Sequence, residues 1–203
     1  MKWLRTTFER CLNSAPRLFL FAAVISATLT GFFVFSLAAP PLPKTPTVIP
    51  QYDKDGALLR PKDFYSWTFV GSSIGLSYSK TGSQSGPGLF HNVYTQPEAY
   101  REYMRTGTFP EKTMFILAMY DSANEVSIAK HGFIEGDFAD MDVSVKDHQH
   151  FPEGWAYFNF SGENGKLAEK AKAFPKTACF TCHAEHGEHD NVFTQFYPIL
   201  RKH

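Results

Sequence analysis

The chain has 203 residues, with 20 lysines and arginines balanced by 20 aspartates and glutamates. Such a balance supplies no basic face for a polyanion and argues against nucleic acid as a partner. Of its three cysteines, Cys179 and Cys182 share one motif and Cys11 lies near the N-terminus, so no structural disulfide is available and the fold must rest on its core and on what it binds. Residues 1–17 carry Lys2, Arg5, Arg10 and Arg17 against a single acid, Glu9; an uncharged run over 18–39 follows, closed by Pro40, Pro41 and Pro43. A basic start, an apolar middle and the small residues of Ser36-Leu37-Ala38 read as an export signal with a cleavage point after Ala38. The run is equally long enough to span a bilayer, which takes about twenty residues, and the positive N-terminus would then stay in the cytoplasm. Residues 1–39 are therefore a signal peptide or an inner-membrane anchor, and both readings put the rest of the chain in the periplasm.

Residues 40–51 are proline-rich and read as an extended tether, leaving 52–203 as one domain of ordinary size. In chain order, the aromatic and β-branched stretch 64–70 has the composition of a strand. A Gly/Ser loop spans 79–88, and 90–94 reads as a short strand. Residues 97–105 form the clearest helix: Pro97 suits the first turn, Glu98 the N-terminal dipole and Gly107 the cap. The apolar stretch 113–120 reads as a strand, 142–145 alternates, and 155–160 is a further aromatic strand. A Lys-rich amphipathic helix is expected over 165–173, then a last helix, then an aromatic tail over 193–200. The fold class expected is α+β, mainly antiparallel β-sheet with flanking helices.

The most informative residues are on that last helix. Cys179-Phe180-Thr181-Cys182-His183 is a CxxCH pentapeptide, the spacing that covalent attachment of a c-type haem requires. Two thiols one helical turn apart can reach the two vinyl groups, and the adjoining histidine can then bind iron as proximal ligand. A zinc site would need two more ligands, for which His186 and His189 lie one and two turns on. A redox CxxC opens a helix near the start of its domain, whereas this one sits near the end of the chain. Export agrees with the haem reading, because c-type attachment takes place outside the bacterial cytoplasm. An aromatic content of 16% also suits a small domain that must wrap a large apolar macrocycle.

Further landmarks are ordered along the exported part: Asp55-Gly56, Pro61-Lys62-Asp63-Phe64-Tyr65, Trp67, Val70-Gly71, Val93-Tyr94, Pro97-Glu98-Ala99-Tyr100 and Thr106-Gly107. Then come Gly136-Asp137, Ser144-Val145-Lys146-Asp147, Gly154-Trp155-Ala156-Tyr157, Asp190, Val192-Phe193-Thr194 and Phe196-Tyr197-Pro198. With the CxxCH they resemble the cytochrome P-460 family, whose other branch is called cytochrome c′-beta. The resemblance implies a β-rich, often dimeric domain holding one five-coordinate haem c, whose open face binds nitric oxide or related small nitrogen oxides. A periplasmic redox partner is a further expectation. An electron carrier of the mitochondrial type is a poorer fit, since no methionine follows His183, and Met104, Met114, Met119 and Met141 read better as core filling.

In cross-linked P-460 cytochromes a lysine on the strand after the Thr-Gly turn bonds to the haem edge. Keeping register from Thr106-Gly107, that position here is Leu117, and no lysine occurs over 113–120. This departure moves the chain from the hydroxylamine-oxidising branch toward cytochrome c′-beta. Alternation places Phe115 and Leu117 on one strand face, where they would form an apolar wall beside the open iron position. His91 and Asp142 align with a distal arginine and glutamate of the family, giving candidate catalytic roles: His91 orienting a substrate and Asp142 relaying protons. His148, His150, His186 and His189 read as surface residues.

Overall fold

The structure, a computed structural model, describes residues 46–77, 86–124, 128, 131–162 and 166–201. The export or anchor segment and most of the Gly/Ser loop lie outside them. Among the described residues no helix is long and apolar enough to cross a membrane.

Five antiparallel strands form the main sheet in the order β2 (Thr68–Ile74), β3 (Phe90–Thr95), β4 (Met114–Ala123), β5 (Ile134–Lys146) and β6 (Trp155–Asn159). Each strand pairs with its neighbour in sequence. Between β3 and β4 runs α1 (Pro97–Thr106), with proline in the first turn, Glu98 at the positive end of the dipole and Gly107 capping at φ 81°. A two-stranded pairing, β1 (Leu58–Leu59) with β7 (Lys170–Ala171), flanks the sheet, and α2 (Phe180–His186) follows. The class is α+β with an antiparallel sheet, as expected.

The sheet is buried on both faces, and the alternation of β4 sorts the two cores. Met114, Ile116 and Ala118 point to one side, where Met141, Val143 and Val145 of β5, Phe158 of β6, Leu58, Phe64 and Trp67 close around them. Phe115 points to the other side, into a cluster with Val93, Tyr103, Phe109, Trp155, Tyr157 and Leu200, against which Leu117, Cys179 and Phe180 pack. Each fully buried Ile, Met or Phe contributes roughly 1.5–3 kcal/mol by leaving water. The two layers therefore cover the central part of the sheet on either face.

Two expectations need correction and a third needs extending. The stretch 64–70 is not one strand. Asp63 adopts a left-handed φ of 57°, Phe64–Ser66 make a 3₁₀ turn, and β2 starts only at Thr68. An aspartate tolerates that conformation, Ser66 Oγ donates back to Asp63 O at 2.8 Å, and the turn drops Phe64 into the core. The alternation seen over 142–145 belongs to a strand of 13 residues, whose earlier half is too polar to stand out. The helix expected over 165–173 is extended from Lys166 on: Leu167 bridges Ser161, and Lys170–Ala171 pair with β1. Its lysines were misleading, because ion pairs to Asp53 (Lys170, 2.6 Å) and from Arg60 to Glu169 (2.5 Å) tie the segment across to the first strand. Tertiary pairing here outweighs helix propensity. Within the proline-rich stretch, Val48 O accepts from Gln96 Nε2 at 3.1 Å, so residues 46–51 lie along the domain.

Candidate functional site

A cavity of about 260 Å³ opens between the sheet and the C-terminal segment. The sheet supplies Val93, Phe115, Leu117, Asp142, Ser144 and Tyr157, and the C-terminal segment supplies Cys179, His183, Val192, Phe193 and Tyr197. Register explains the sheet's part. Val93 pairs with Leu117 and Leu117 with Asp142, one cross-strand row; Phe115 pairs with Ser144 and Ser144 with Tyr157, the next row on the same face. Three hydrogen-bonded ladders thus bring residues as far apart in sequence as Val93 and Tyr157 onto one cavity wall.

α2 presents the motif. Cys179 flanks its first turn, half-buried, while Cys182 is exposed and stands outside the cavity wall. His183 points inward and packs against Tyr157 and Phe193, with ring centroids 4.4 Å away in each case. Its Nδ1 lies 3.0 Å from the carbonyl oxygen of Asn191. A carbonyl only accepts, so Nδ1 carries the proton and Nε2 is the nitrogen with a lone pair for a metal. Burial lowers the ring's pKa, opposed by the Asn191 carbonyl, so the imidazole is neutral and able to ligate near pH 7. Burial pushes the Cys179 thiol up, with Asp142 and Cys182 adding to it.

Asp142 lies in the wall beside Leu117. Burial raises its pKa, the amide of Asn159 (Nδ2 to Oδ1, 2.8 Å) works against that, and the like charge of Asp140 adds to it. Asn159 Nδ2 also reaches Asp140 Oδ2 at 2.9 Å, and Ser161 Oγ donates to the same oxygen at 2.5 Å. His91 does not join Asp142. It pairs with Met119, which pairs with Asp140, so it stands one same-face row along and two strands across from Asp142, roughly 12 Å away at ordinary strand rise and spacing, outside the cavity wall. Burial lowers its pKa as well. Of the surface histidines, His148 pairs with Glu111 at 2.6 Å and His150 with Asp147 at 2.8 Å. Among the described residues no group of three or more His, Cys, Asp or Glu is disposed to hold a metal ion.

The donor set suits a haem: one neutral imidazole with a free Nε2, a thiol in the same wall, a second thiol one turn on, and an apolar enclosure. The hydroxyl of Tyr157, buried in that wall, has no hydrogen-bond partner among the described residues, which is costly in a protein that holds nothing there. The four upstream methionines are not part of it. Met114 and Met141 are buried in the opposite core, Met104 is exposed, and Met119 is absent from the cavity wall.

Tyr157, Ser144, Asn191 and Tyr197 escaped the sequence reading. Tyr157 could have been found by extending the face alternation of Phe115 and Leu117 to the aromatic strand. The Asn191 contribution is a backbone carbonyl, which leaves no side-chain signature. Tyr197 closes over Gly71, where a Cβ would meet its ring at 2.8 Å; that close approach accounts for the glycine in β2.

No curated protein matched the chain. Comparison with protein families matched Cytochrome P460 over residues 61–194, a span that holds the five-stranded sheet, α2 and every residue lining the cavity except Tyr197. The chain belongs to the cytochrome P460 family and is a haem-binding cytochrome.

Proposed function

We propose that the protein is a periplasmic mono-haem c-type cytochrome of the c′-beta kind, which binds nitric oxide or a related small nitrogen oxide at an open axial position. Cys179 and Cys182 would hold the haem covalently and His183 would ligate its iron. When bound, the haem would supply an iron able to take up a diatomic ligand. Everything else falls to the chain's own residues. Asn191 fixes the tautomer of His183, while Phe115, Leu117 and Val93 keep the sheet side of the cavity apolar and crowded. Such a wall disfavours water and anions and admits an uncharged diatomic.

The observation that carries this reading is Leu117 in the cavity wall, paired with Asp142 and Val93, where cross-linked relatives would place lysine. The two lysines on adjoining elements are engaged elsewhere: Lys112 with Asp147 at 2.5 Å, Lys146 with Asp190 at 2.6 Å. The exclusion of all four methionines from the wall favours an open position over a six-coordinate electron carrier.

A second reading rests on Asp142, a half-buried carboxyl of raised pKa in the same wall: oxidoreductase chemistry on hydroxylamine or nitric oxide, with Asp142 relaying protons. His91, one row away, would need a ligand larger than a diatomic to take part. Export or anchoring through residues 18–39, and a homodimer, complete the proposal.

The optical spectrum of the reduced protein with and without nitric oxide tests the choice. A five-coordinate spectrum that changes with the gas is expected. A strongly red-shifted band would point to a macrocycle cross-link and favour the oxidase reading, and sharp six-coordinate bands unmoved by the gas would sink both.

A further inference from the structure

The carbonyl that holds His183 comes from a tight turn, His189 to Val192, in which Val192 N donates to His189 O at 2.9 Å. Its two central residues, Asp190 (φ 51°) and Asn191 (φ 59°), are both left-handed and neither is glycine. Asp and Asn are the side chains that accept this conformation best, but acceptance alone does not fix where the turn points. Asp190 does that. Its Oδ2 accepts from Lys146 Nζ at the end of β5 (2.6 Å) and from the backbone amide of Phe109 (3.1 Å). Its Oδ1 accepts from the indole Nε1 of Trp155 on β6 at 3.3 Å. Lys146 Nζ in turn donates to Phe109 O at 2.8 Å, and its side chain is 8% exposed. One carboxylate thus fastens the C-terminal turn to two sheet strands and to the segment after α1.

We infer that Asp190 is a positioning residue for the proximal histidine: anchored on Lys146, Trp155 and Phe109, it holds the Asn191 carbonyl on His183 Nδ1 and so sets how strongly the imidazole donates to the haem iron. The inference rests on the reading of His183 as iron ligand, but not on which gas binds opposite. A firm Nδ1–H···O bond gives the ring partial imidazolate character and favours the oxidised iron. A carbonyl free to drift weakens that bond steeply with distance and angle.

The test uses the full-length holoprotein without nitric oxide. Two signals report on the imidazole itself: the iron–histidine stretching band in the resonance Raman spectrum of the reduced protein, and the reduction midpoint. Asp190→Asn, which keeps shape and tolerance of positive φ, is expected to lower the stretching frequency and raise the midpoint. The expected change in the reduction equilibrium is about tenfold, the low end of what loss of an outer-shell partner does to a metal site, or about 59 mV for one electron. Asp147→Asn, which breaks another buried ion pair away from the cavity, should lower thermal stability and leave both signals in place.

Should Asp190→Asn fail to accumulate as holoprotein, Lys146→Gln removes the strongest anchor and is expected to move both signals in the same direction by less. Stability loss with both signals unmoved, in whichever of the two folds, overturns the inference and leaves Asp190 a structural residue. A wild-type protein lacking the iron–histidine band overturns the ligand assignment and this inference together. One that shows the band but ignores nitric oxide overturns only the gas-binding proposal.

Discussion

Replacing Phe115 with alanine separates the two faces of β4 in one experiment. Phe115 is 6% exposed and makes edge contacts with Phe109 at 5.0 Å and tilted contacts with Trp155 at 6.2 Å. Removing a buried phenylalanine costs about 3–5 kcal/mol. Because one side of this ring faces a cavity rather than packed atoms, fewer contacts are lost, and the lower end, about 3 kcal/mol, is expected. For a domain of this size that is a fall in Tm of roughly 6–12 °C. Ile116→Ala, on the opposite face and fully buried, should cost a similar amount, about 2–5 kcal/mol. Their effects on ligand binding should differ. If the Phe115 ring crowds the gas by about 1.4 kcal/mol, its removal tightens binding tenfold, whereas Ile116→Ala leaves binding unchanged. Thermal denaturation of both holoproteins, with stopped-flow binding of nitric oxide to the reduced forms, makes the comparison. Wild-type binding in Phe115→Ala, or an equal change in Ile116→Ala, would refute the assignment of that face to the ligand.

Asp142 has a raised pKa in the folded protein, so its contribution favours folding below the ordinary carboxylate range and is lost as pH rises through its folded value. Asp142→Asn should therefore match the wild type near pH 4 and equal or exceed its Tm near pH 8; a lower Tm at pH 8 would show that Asn159 more than compensates the buried charge. Asp147 behaves oppositely. Burial alone would raise its pKa, but Lys112 and His150 together hold it below the usual range, so its stabilisation is present above that range and lost as pH falls through the folded value. Asp147→Asn leaves Lys112 without its carboxylate and should cost about 3–5 kcal/mol at pH 7, with the gap closing in acid melts; a gap independent of pH would remove the ion pair from the account. Cys182→Ala should leave haem attached by a single thioether through Cys179, read as an intact haem–protein mass after denaturation; complete loss of haem there would show that Cys179 cannot act alone.

Legibility followed the range of the interactions. Helix α1 could be read because Pro97, Glu98 and Gly107 each act on their own turn. The motif could be read because thiols and imidazole three and four positions apart meet on any helix. The strand face of Phe115 and Leu117 followed from the period of two alone. What failed were segments whose conformation is imposed from a distance: residues 166–173, pulled into an extended pairing with β1, and Phe64–Ser66, folded under by a left-handed Asp63. Where His91 and Asp142 lie relative to each other is likewise set from a distance, by the register of β3, β4 and β5, which puts them one row apart on strands that are not adjacent.

The sequence by itself determined the residue group proposed to tether and ligate a haem, because those roles depend on residues adjacent in the chain. Only the tertiary structure decided what surrounds that group. Leu117 meets Asp142 and Val93 through strand register, Met114 and Met141 are turned to the far core, and a carbonyl eight residues beyond His183 selects its tautomer. Each of those depends on backbone ladders and close packing between segments far apart in the chain, and no local pattern of side chains encodes them.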